Sequence, residues 1–348
     1  MEALSLDLPN EECIESSPKG YTMLAAIRKD TSQNLLVTWC PGSGKTIIAI
    51  RRFQRLLDQW KNVYMLVYNK LLSMHLESSL QEEIRTLDSF YGHINYKLEQ
   101  ELNWYISELS EDEIKKTFEA YVEKFGKIDA VVIDEWQDFP EKIYRNLQIL
   151  FNHISVFGDD LQRINENSSS SEQIEENLDP FRIEFNRNFR NTPEIWETCK
   201  QFVPMSERVQ SRATSDDLIS ALEGEQVLKF NDDWAEYKEP LWLVMNILDR
   251  HKDDEIGIFI NTIKNIDDFS FQLWKVGEVE HAKYHSKIPD EEVQLASPFI
   301  TTYKSLKGME FDVAILFIPI LKKNTFPKKE KFVAATRAKK KLYVIYTN

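Results

Sequence analysis

Two short stretches hold residue types that do phosphate chemistry. The first, LLVTWCPGSGKTIIAI (35–50), runs an apolar strand into a glycine turn and then into a helix. That order is the setting of a phosphate loop, in which turn amides and the positive end of the helix cradle an anion. Pro41, Gly42, Ser43 and Gly44 form the cradle, Lys45 reaches the terminal phosphates, and the Thr46 hydroxyl is placed to hold Mg²⁺. The second stretch, VVIDEWQDF (131–139), drives three β-branched residues straight into Asp134 and Glu135. An apolar strand that ends in two acids downstream of such a loop offers one carboxylate to a metal and one to an attacking water. Asp134 is the metal-side candidate, with Thr46, and Glu135 the base. The chemistry these residues suit is hydrolysis of a nucleoside triphosphate, with ATP and Mg²⁺ as the expected cofactors. The loop pattern wants glycine where this chain has Trp39, so the entry to the turn must differ. The indole either packs in the core or borders the nucleotide.

These residues need a sheet to hold them. Short apolar runs predict strands at Leu35–Thr38, Val63–Tyr68, Ala130–Ile133, Ile154–Phe157, Ile256–Ile260, Val313–Ile318 and Leu342–Tyr346. Helical patterns lie between them. Ala49, Phe53, Leu56, Leu57 and Trp60 share one helical face, and Ser110 with Glu113 predicts a capping box ahead of the stripe Ile114, Phe118, Val122 and Phe125, closed by Gly126. Thr192-Pro193-Glu194 reads as a cap, a first-turn proline and an acidic start, and the last serines of 168–171 start another helix. Strands alternating with helices give an α/β protein with parallel sheets.

DEWQD resembles the DExQD box of superfamily 1 helicases, the UvrD/Rep group, and further boxes of that family follow in order. VYNKLLSMHL (67–76) and TLDSF (86–90) are similar to its early nucleic-acid boxes. VFGDDLQRI (156–164) resembles the third motif, which implies that Gln162 senses the γ-phosphate. NRNFRNTPEI (186–195) and VAATRAKKKLYV (333–344) resemble the fourth and sixth, which implies phosphate-facing Arg190 and an arginine finger at Arg337. TTYKSLKGMEFDVAIL (301–316) resembles the fifth and puts Glu310 among the nucleotide-binding residues. The resemblance runs from about residue 34 onward. It implies two RecA-like parallel-sheet domains of the P-loop NTPase class with ATP in the cleft between them. The first would span 1–180, with a small helical insert at about 91–128, and the second 181–348. It implies an ATP-dependent helicase or single-strand translocase of 3′→5′ polarity, acting on single-stranded or tailed DNA.

The chain departs from that family in its nucleic-acid residues. No aromatic follows Gln162 in RINENSSSSEQI, Asp88 stands where relatives have histidine, and Tyr303 replaces another histidine. An acid at 88 would repel phosphate, whereas Tyr303 could stack on a base. The glutamine expected about twenty residues before Lys45 is replaced by Thr22, Met23 and Leu24. There is no room for large inserted subdomains, so the expectation is a minimal two-domain motor. The alternative is a regulatory ATPase subunit that senses DNA or nucleotide and switches a partner, such as a nuclease, by analogy with minimal relatives that occur beside nucleases in antiphage operons.

The whole chain sets wider bounds. Its 348 residues, 42% apolar and 29% charged, have the composition of a folded protein with room for two cores. No apolar run reaches the ~20 residues that span a bilayer, and the acidic start MEALSLDLPNEECIE does not read as a signal peptide, so no membrane association is expected. Three scattered cysteines, Cys13, Cys40 and Cys199, fit reduced thiols and a cytoplasmic location. A net charge of −14 argues against a broadly basic surface. Residues 321–344 nevertheless carry eight lysines and one arginine against one glutamate, either as a solvated face or as a local basic groove.

Overall fold

The structure, a computed structural model, describes residues 2–4, 14, 20–39, 41–60, 62–100, 105–163, 168–185, 188, 190–203, 228–232, 238–319 and 328–347. The chain divides into two compact units, Leu6–Asn186 and Arg187–Asn348, the second joined by Met1–Ser5. Each is an α/β unit built on a six-stranded parallel sheet. The N-terminal β1 (Glu2–Ala3) belongs to the second unit.

The first unit contains β2 (Leu35–Trp39), β3 (Val63–Val67), β4 (Ile84–Thr86), β5 (Ile128–Asp134), β6 (Phe151–Gly158) and β7 (Phe181–Phe185). Their order across the sheet is β4-β3-β5-β6-β2-β7. The central strands read as continuous apolar runs because helices cover both faces of a parallel sheet. Val131, Val132 and Ile133 of β5 are fully buried. Register decides where the chemistry sits. Asp134 lies opposite Phe157, and Thr38 lies opposite Gly158. The carboxyl ends of β2, β5 and β6 therefore deliver the glycine turn, the two acids and the Gly158-Asp159 turn to one edge of the sheet, where ligands bind in open α/β sheets. The boundary expected at 180/181 assigns β7 to the second domain, yet β7 pairs with β2 in this first sheet.

The segment between β4 and β5 is largely helical. Leu87–Lys97 and Glu111–Phe125 are α-helices, with a short 3₁₀ turn at Ile106–Glu108. Ser110 caps the second helix, and its capping box with Glu113 is complete. Phe90, Ile94, Ile106, Ile114 and Phe118 join the same apolar core as Val131 and Ile133, so the insert packs as part of this unit. Of the stripe read from sequence, Phe125 is the exception and is largely exposed.

A buried cation ties the helix Gly20–Arg28 to the sheet. Arg52, on the helix Lys45–Gln59, donates to the Ile27 carbonyl at 3.0 Å and to that of Lys29. Its guanidinium also meets Ser155 Oγ at 3.3 Å and His153 Nε2 at 3.0 Å, both on β6.

The second unit contains β8 (Leu228–Asp232), β9 (Ile256–Ile260), β10 (Ala282–Tyr284), β11 (Ala296–Ser297), β12 (Phe299–Thr302), β13 (Phe311–Pro319) and β14 (Ala338–Thr347). Six of these form the sheet β10-β12-β9-β13-β14-β8, and β1 pairs antiparallel with β11. Its core gathers Ile258, Ile260, Ile300, Val313, Ile315 and Ile345 under the helices Lys238–Arg250 and Ile263–Gly277. The lysines at 339–341 belong to the basic stretch read from sequence as a solvated face or a local groove. They open β14, where Lys339 pairs with Asp312 at 3.2 Å and Lys340 with Asp254 at 2.8 Å, while Lys341 is buried.

Candidate active site

The glycine turn between β2 and the helix Lys45–Gln59 has the backbone a phosphate cradle requires. Gly42 and Gly44 adopt φ of 72° and 82°, the left-handed region in which a side chain is disfavoured. Pro41, Gly42 and Ser43 are buried, and Lys45 is only 6% exposed. Met23, on the helix Gly20–Arg28, places its methyl 4.0 Å from where a Cβ on Gly44 would stand, so an apolar side chain occupies the region where a glutamine was sought. The side chain of Trp39 and all of Cys40 lie outside the described residues, and with them the choice between core and nucleotide border for the indole.

The two acids at the end of β5 differ in surroundings. Asp134 is fully buried; its Oδ1 accepts from the Glu135 amide at 3.0 Å, and the Thr46 hydroxyl is among its neighbours. Burial and the neighbouring Glu135 raise its pKa, with Thr46 and Lys45 pulling the other way. Its Oδ2 is buried without a hydrogen-bond partner. A buried carboxylate oxygen in that condition is costly unless a cation or its water completes it. With the Thr46 hydroxyl alongside, the donor set fits a hard divalent cation such as Mg²⁺, which takes oxygen ligands from one or two side chains and the rest from phosphate and water.

Glu135 sits at φ 56°, an uncommon backbone for a residue with a side chain. That turn starts a 3₁₀ segment, Trp136–Asp138, and a relay follows from it. Gln137 donates through Nε2 to the Glu135 carboxylate and accepts through Oε1 from the Asp159 amide at 3.0 Å. Asp159 in turn accepts from Gln162 Nε2 at 3.0 Å and from the Leu161 amide at 3.0 Å. Burial raises the Asp159 carboxyl, and Lys45 acts against that rise. Lys45 thus lies within the field of both Asp134 and Asp159. Gly158 makes the relay possible by close approach, since a Cβ there would stand 2.3 Å from Gln137 Oε1 and 2.4 Å from the Trp136 ring.

The structure therefore brings Pro41–Thr46, Asp134, Glu135 and Gln162 together in the first unit. Sequence reading left Gln137, Asp159 and Gly158 without roles. VFGDD carried the signal, because a glycine closing a buried strand beside a bulky WQ pair marks a close backbone approach.

Arg190, Glu310 and Arg337 form a second cluster, in the other unit. Arg190 donates to the Thr336 carbonyl at 3.1 Å and forms an ion pair with Glu310. Packing at the Glu310 carboxyl disfavours its charge, but Arg190, Arg337 and Lys339 overcome this and hold its pKa below the usual range. Arg337 is 2% exposed and donates through Nε to the Val333 carbonyl at 3.0 Å. Here Glu310 acts as the counter-ion of two phosphate-sensing candidates.

One expectation about a nucleic-acid track does not hold. Tyr303 is 1% exposed and donates its hydroxyl to the Phe317 carbonyl, so it is a core residue and presents no face to a base. Asp88 accepts from the Ile106 amide at 3.0 Å, which makes it the tether of the helical insert, and burial raises its carboxyl.

Comparison with known proteins bears on the same residues. A family described as an AAA domain matches residues 23–167, a span that holds the glycine turn, Asp134, Glu135 and Gln162. The C-terminal domain of a possible DNA helicase from Lactobacillus plantarum WCFS1 is similar at 12% identity over 46% of this chain and 87% of that one, with a TM-score of 0.34. The PRRSV helicase is similar at 12% identity over 92% of this chain, which spans 54% of that protein's length, with a TM-score of 0.43. No curated protein matches the sequence. Among the described residues no helix is long and apolar enough to cross a membrane. The chain is an α/β protein of two parallel-sheet units, and residues 23–167, within the first, match the family described as an AAA domain.

Proposed function

We propose that this chain hydrolyses ATP with Mg²⁺ and uses the cycle to move along single-stranded DNA, in the manner of a UvrD-like 3′→5′ translocase. The observation that carries the reading is the unpartnered, buried Oδ2 of Asp134 beside the Thr46 hydroxyl and within the field of Lys45. Thr46 and Asp134 would hold the metal, which supplies positive charge to the phosphate oxygens. Lys45 and the turn amides bind and orient the phosphates. Glu135 accepts the proton of the attacking water, with its carboxylate held by Gln137. Gln162, fixed by Asp159, reports the terminal phosphate. Arg190 and Arg337 are proposed to act on it in the nucleotide-bound protein, the latter as an arginine finger.

A second reading is a regulatory ATPase subunit of a partner nuclease. It is favoured by the three places where a DNA track was sought: Tyr303 is buried, Asp88 is engaged with Ile106, and Lys339 and Lys340 are paired with acids. Measuring the ATPase rate of the isolated chain against increasing single-stranded DNA separates the two. A rate that rises and saturates supports the translocase. A rate indifferent to DNA supports the regulatory subunit, and the absence of any ATPase or ATP binding would overturn both.

A further inference from the structure

A groove runs along one edge of the second unit's sheet, lined by none of Arg190, Glu310 and Arg337. One wall is the helix Ile263–Gly277, whose Asp267, Ser270, Phe271 and Trp274 recur at the spacing of a single helical face. The other wall is β10, the edge strand, which pairs with β12 on one side. Among the described residues no strand covers its outer side. Two adjoining cavities of about 500 and 380 Å³ share Asp267, His281 and Lys283 and make the groove continuous.

Its floor is polar and ordered. Ser270 Oγ meets His281 Nε2 at 2.7 Å, His281 Nδ1 meets the Val279 carbonyl at 2.9 Å, and Asp267 takes Lys283 at 2.7 Å. Its rim is apolar: Phe271 and Trp274 are 51% and 62% exposed, and the two aromatic rings stand 6.4 Å apart. Backbone direction adds a third feature. The Ala282 amide donates inward to the Pro298 carbonyl at 2.9 Å, so alternation along the strand turns the Lys283 N–H and C=O outward, away from β12.

An uncovered edge strand beside a helix is the arrangement that accepts an extended peptide as an added strand, with main-chain hydrogen bonds giving affinity and side-chain pockets giving specificity. Charge selects the occupant. Among the residues that line the two cavities, Glu280 and Glu292 stand against Lys287, while Asp267 is taken up by Lys283. Glu280 shares the first cavity with Phe271 and Trp274, and a carboxylate there disfavours a phosphate backbone and favours Lys or Arg. We propose that this groove binds an extended segment of a partner protein, which adds as a strand to β10, seats an aromatic or long aliphatic side chain against Phe271 and Trp274, and carries an adjacent basic residue.

The full chain, immobilised, would be panned against phage-displayed random linear 12-residue peptides. The enriched peptides would then be synthesised and titrated against three variants whose thermal unfolding matches that of the parent chain. Proline is tolerated on an edge strand where its missing N–H faces outward, so Lys283→Pro leaves the sheet paired while removing the docking donor and blocking the added strand. Enriched peptides should pair a bulky apolar residue with Lys or Arg. Lys283→Pro and Trp274→Ala should each weaken binding by about tenfold or more, as the loss of a main-chain bond or of an aromatic anchor does, while Lys283→Ala should stay within about threefold. No enrichment, or peptides that bind Lys283→Pro and Lys283→Ala alike, would overturn the added-strand proposal. So would a fluorescent oligo-dT whose binding is lost in Trp274→Ala, since the groove would then serve nucleic acid.

Discussion

At the scale of single residues, the first unit sets the two roles proposed here, metal holding and proton removal, apart through backbone geometry. Asp134 ends β5 with one carboxylate oxygen buried and unpartnered, whereas the left-handed turn at Glu135 swings the second carboxylate onto Gln137. Glu135→Gln keeps the metal-side oxygens and loses the base. Its ATP hydrolysis should fall by about 10²–10⁴-fold while equilibrium binding of a fluorescent ATP analogue stays near that of the parent chain. Wild-type turnover would remove Glu135 from the role of base. Gly158 offers a sharper test because it touches no phosphate candidate. A methyl there would collide with Gln137 Oε1 and Trp136, both fully buried, so one of them must move. Gly158→Ala should destabilise the chain by about 1–3 kcal/mol, as overpacking does. It should also lower the ATPase rate, because Gln137 loses its hold on Glu135. Urea unfolding and a rate assay on the same preparation give both readouts, and an unchanged rate in a destabilised protein would detach Gln137 from the chemistry.

At the scale of elements, two polar anchors hold pieces that apolar packing alone leaves free to slide. Asp88, in the first turn of Leu87–Lys97, holds the Ile106 amide. Asp88→Ala strands that amide and should cost about 1–3 kcal/mol, with faster proteolytic cleavage near Ile106 as the local signature. Cleavage and stability both unchanged would show that the tether is incidental. The second anchor is Arg52, and its imidazole partner makes it sensitive to pH. Burial and the Arg52 guanidinium lower His153 from its ordinary 6.5 to about 4. Between those values the unfolded chain binds the proton and the folded chain does not, so stability rises with pH across that window and is lost on acidification. Going from pH 7 to pH 5 should remove about 2 kcal/mol through this group alone. Urea midpoints at both pH values, for the parent chain and for His153→Asn, check the sign. An equal acid loss in the two proteins would assign the effect elsewhere.

Sequence legibility followed the strength of local signals. The glycine turn, the capping box at Ser110 and the cap at Thr192 were legible because each is a fixed spacing of residue types with one physical use. β7 was missed because FRIEF alternates charge with apolar residues over only five positions, as an outer strand does. β12 was missed because FITT leads directly into a polar turn. The lysines at 339–341 misled for a different reason: a run of like charge reads as solvated surface, and nothing local reveals Asp254, Glu255 and Asp312 waiting across the fold. Tyr303 shows the same limit, since its hydroxyl's partner lies fourteen residues away on β13.

At the scale of the whole molecule, the residues proposed for hydrolysis are better provided for than any grip on DNA. An ATPase needs only the ordered edge of one sheet and charge brought to the phosphate, and the candidates for both are built and buried. A translocase also needs stacking surfaces and phosphate contacts. No aromatic follows Gln162 up to Phe181. Tyr303 is committed to the core, and the two lysines that open the last strand neutralise Asp254 and Asp312. Losing one base-stacking contact weakens binding by roughly 1–3 kcal/mol, about ten- to a hundredfold. What remains would be phosphate contacts under a chain charge of −14, and such contacts fade steeply with salt. The isolated chain should therefore hydrolyse ATP yet displace little strand from a 3′-tailed duplex, and what displacement there is should vanish between about 50 and 200 mM salt. A partner that supplied the missing grip should restore it, and the peptides selected on the β10 groove would give the first description of such a partner's docking segment. Gel assays of strand displacement at the two salt concentrations, with ATP turnover measured in the same tubes, test this directly. Robust displacement by the chain alone at the higher salt would mean that a complete track exists on surfaces other than Tyr303, Asp88 and the β14 lysines.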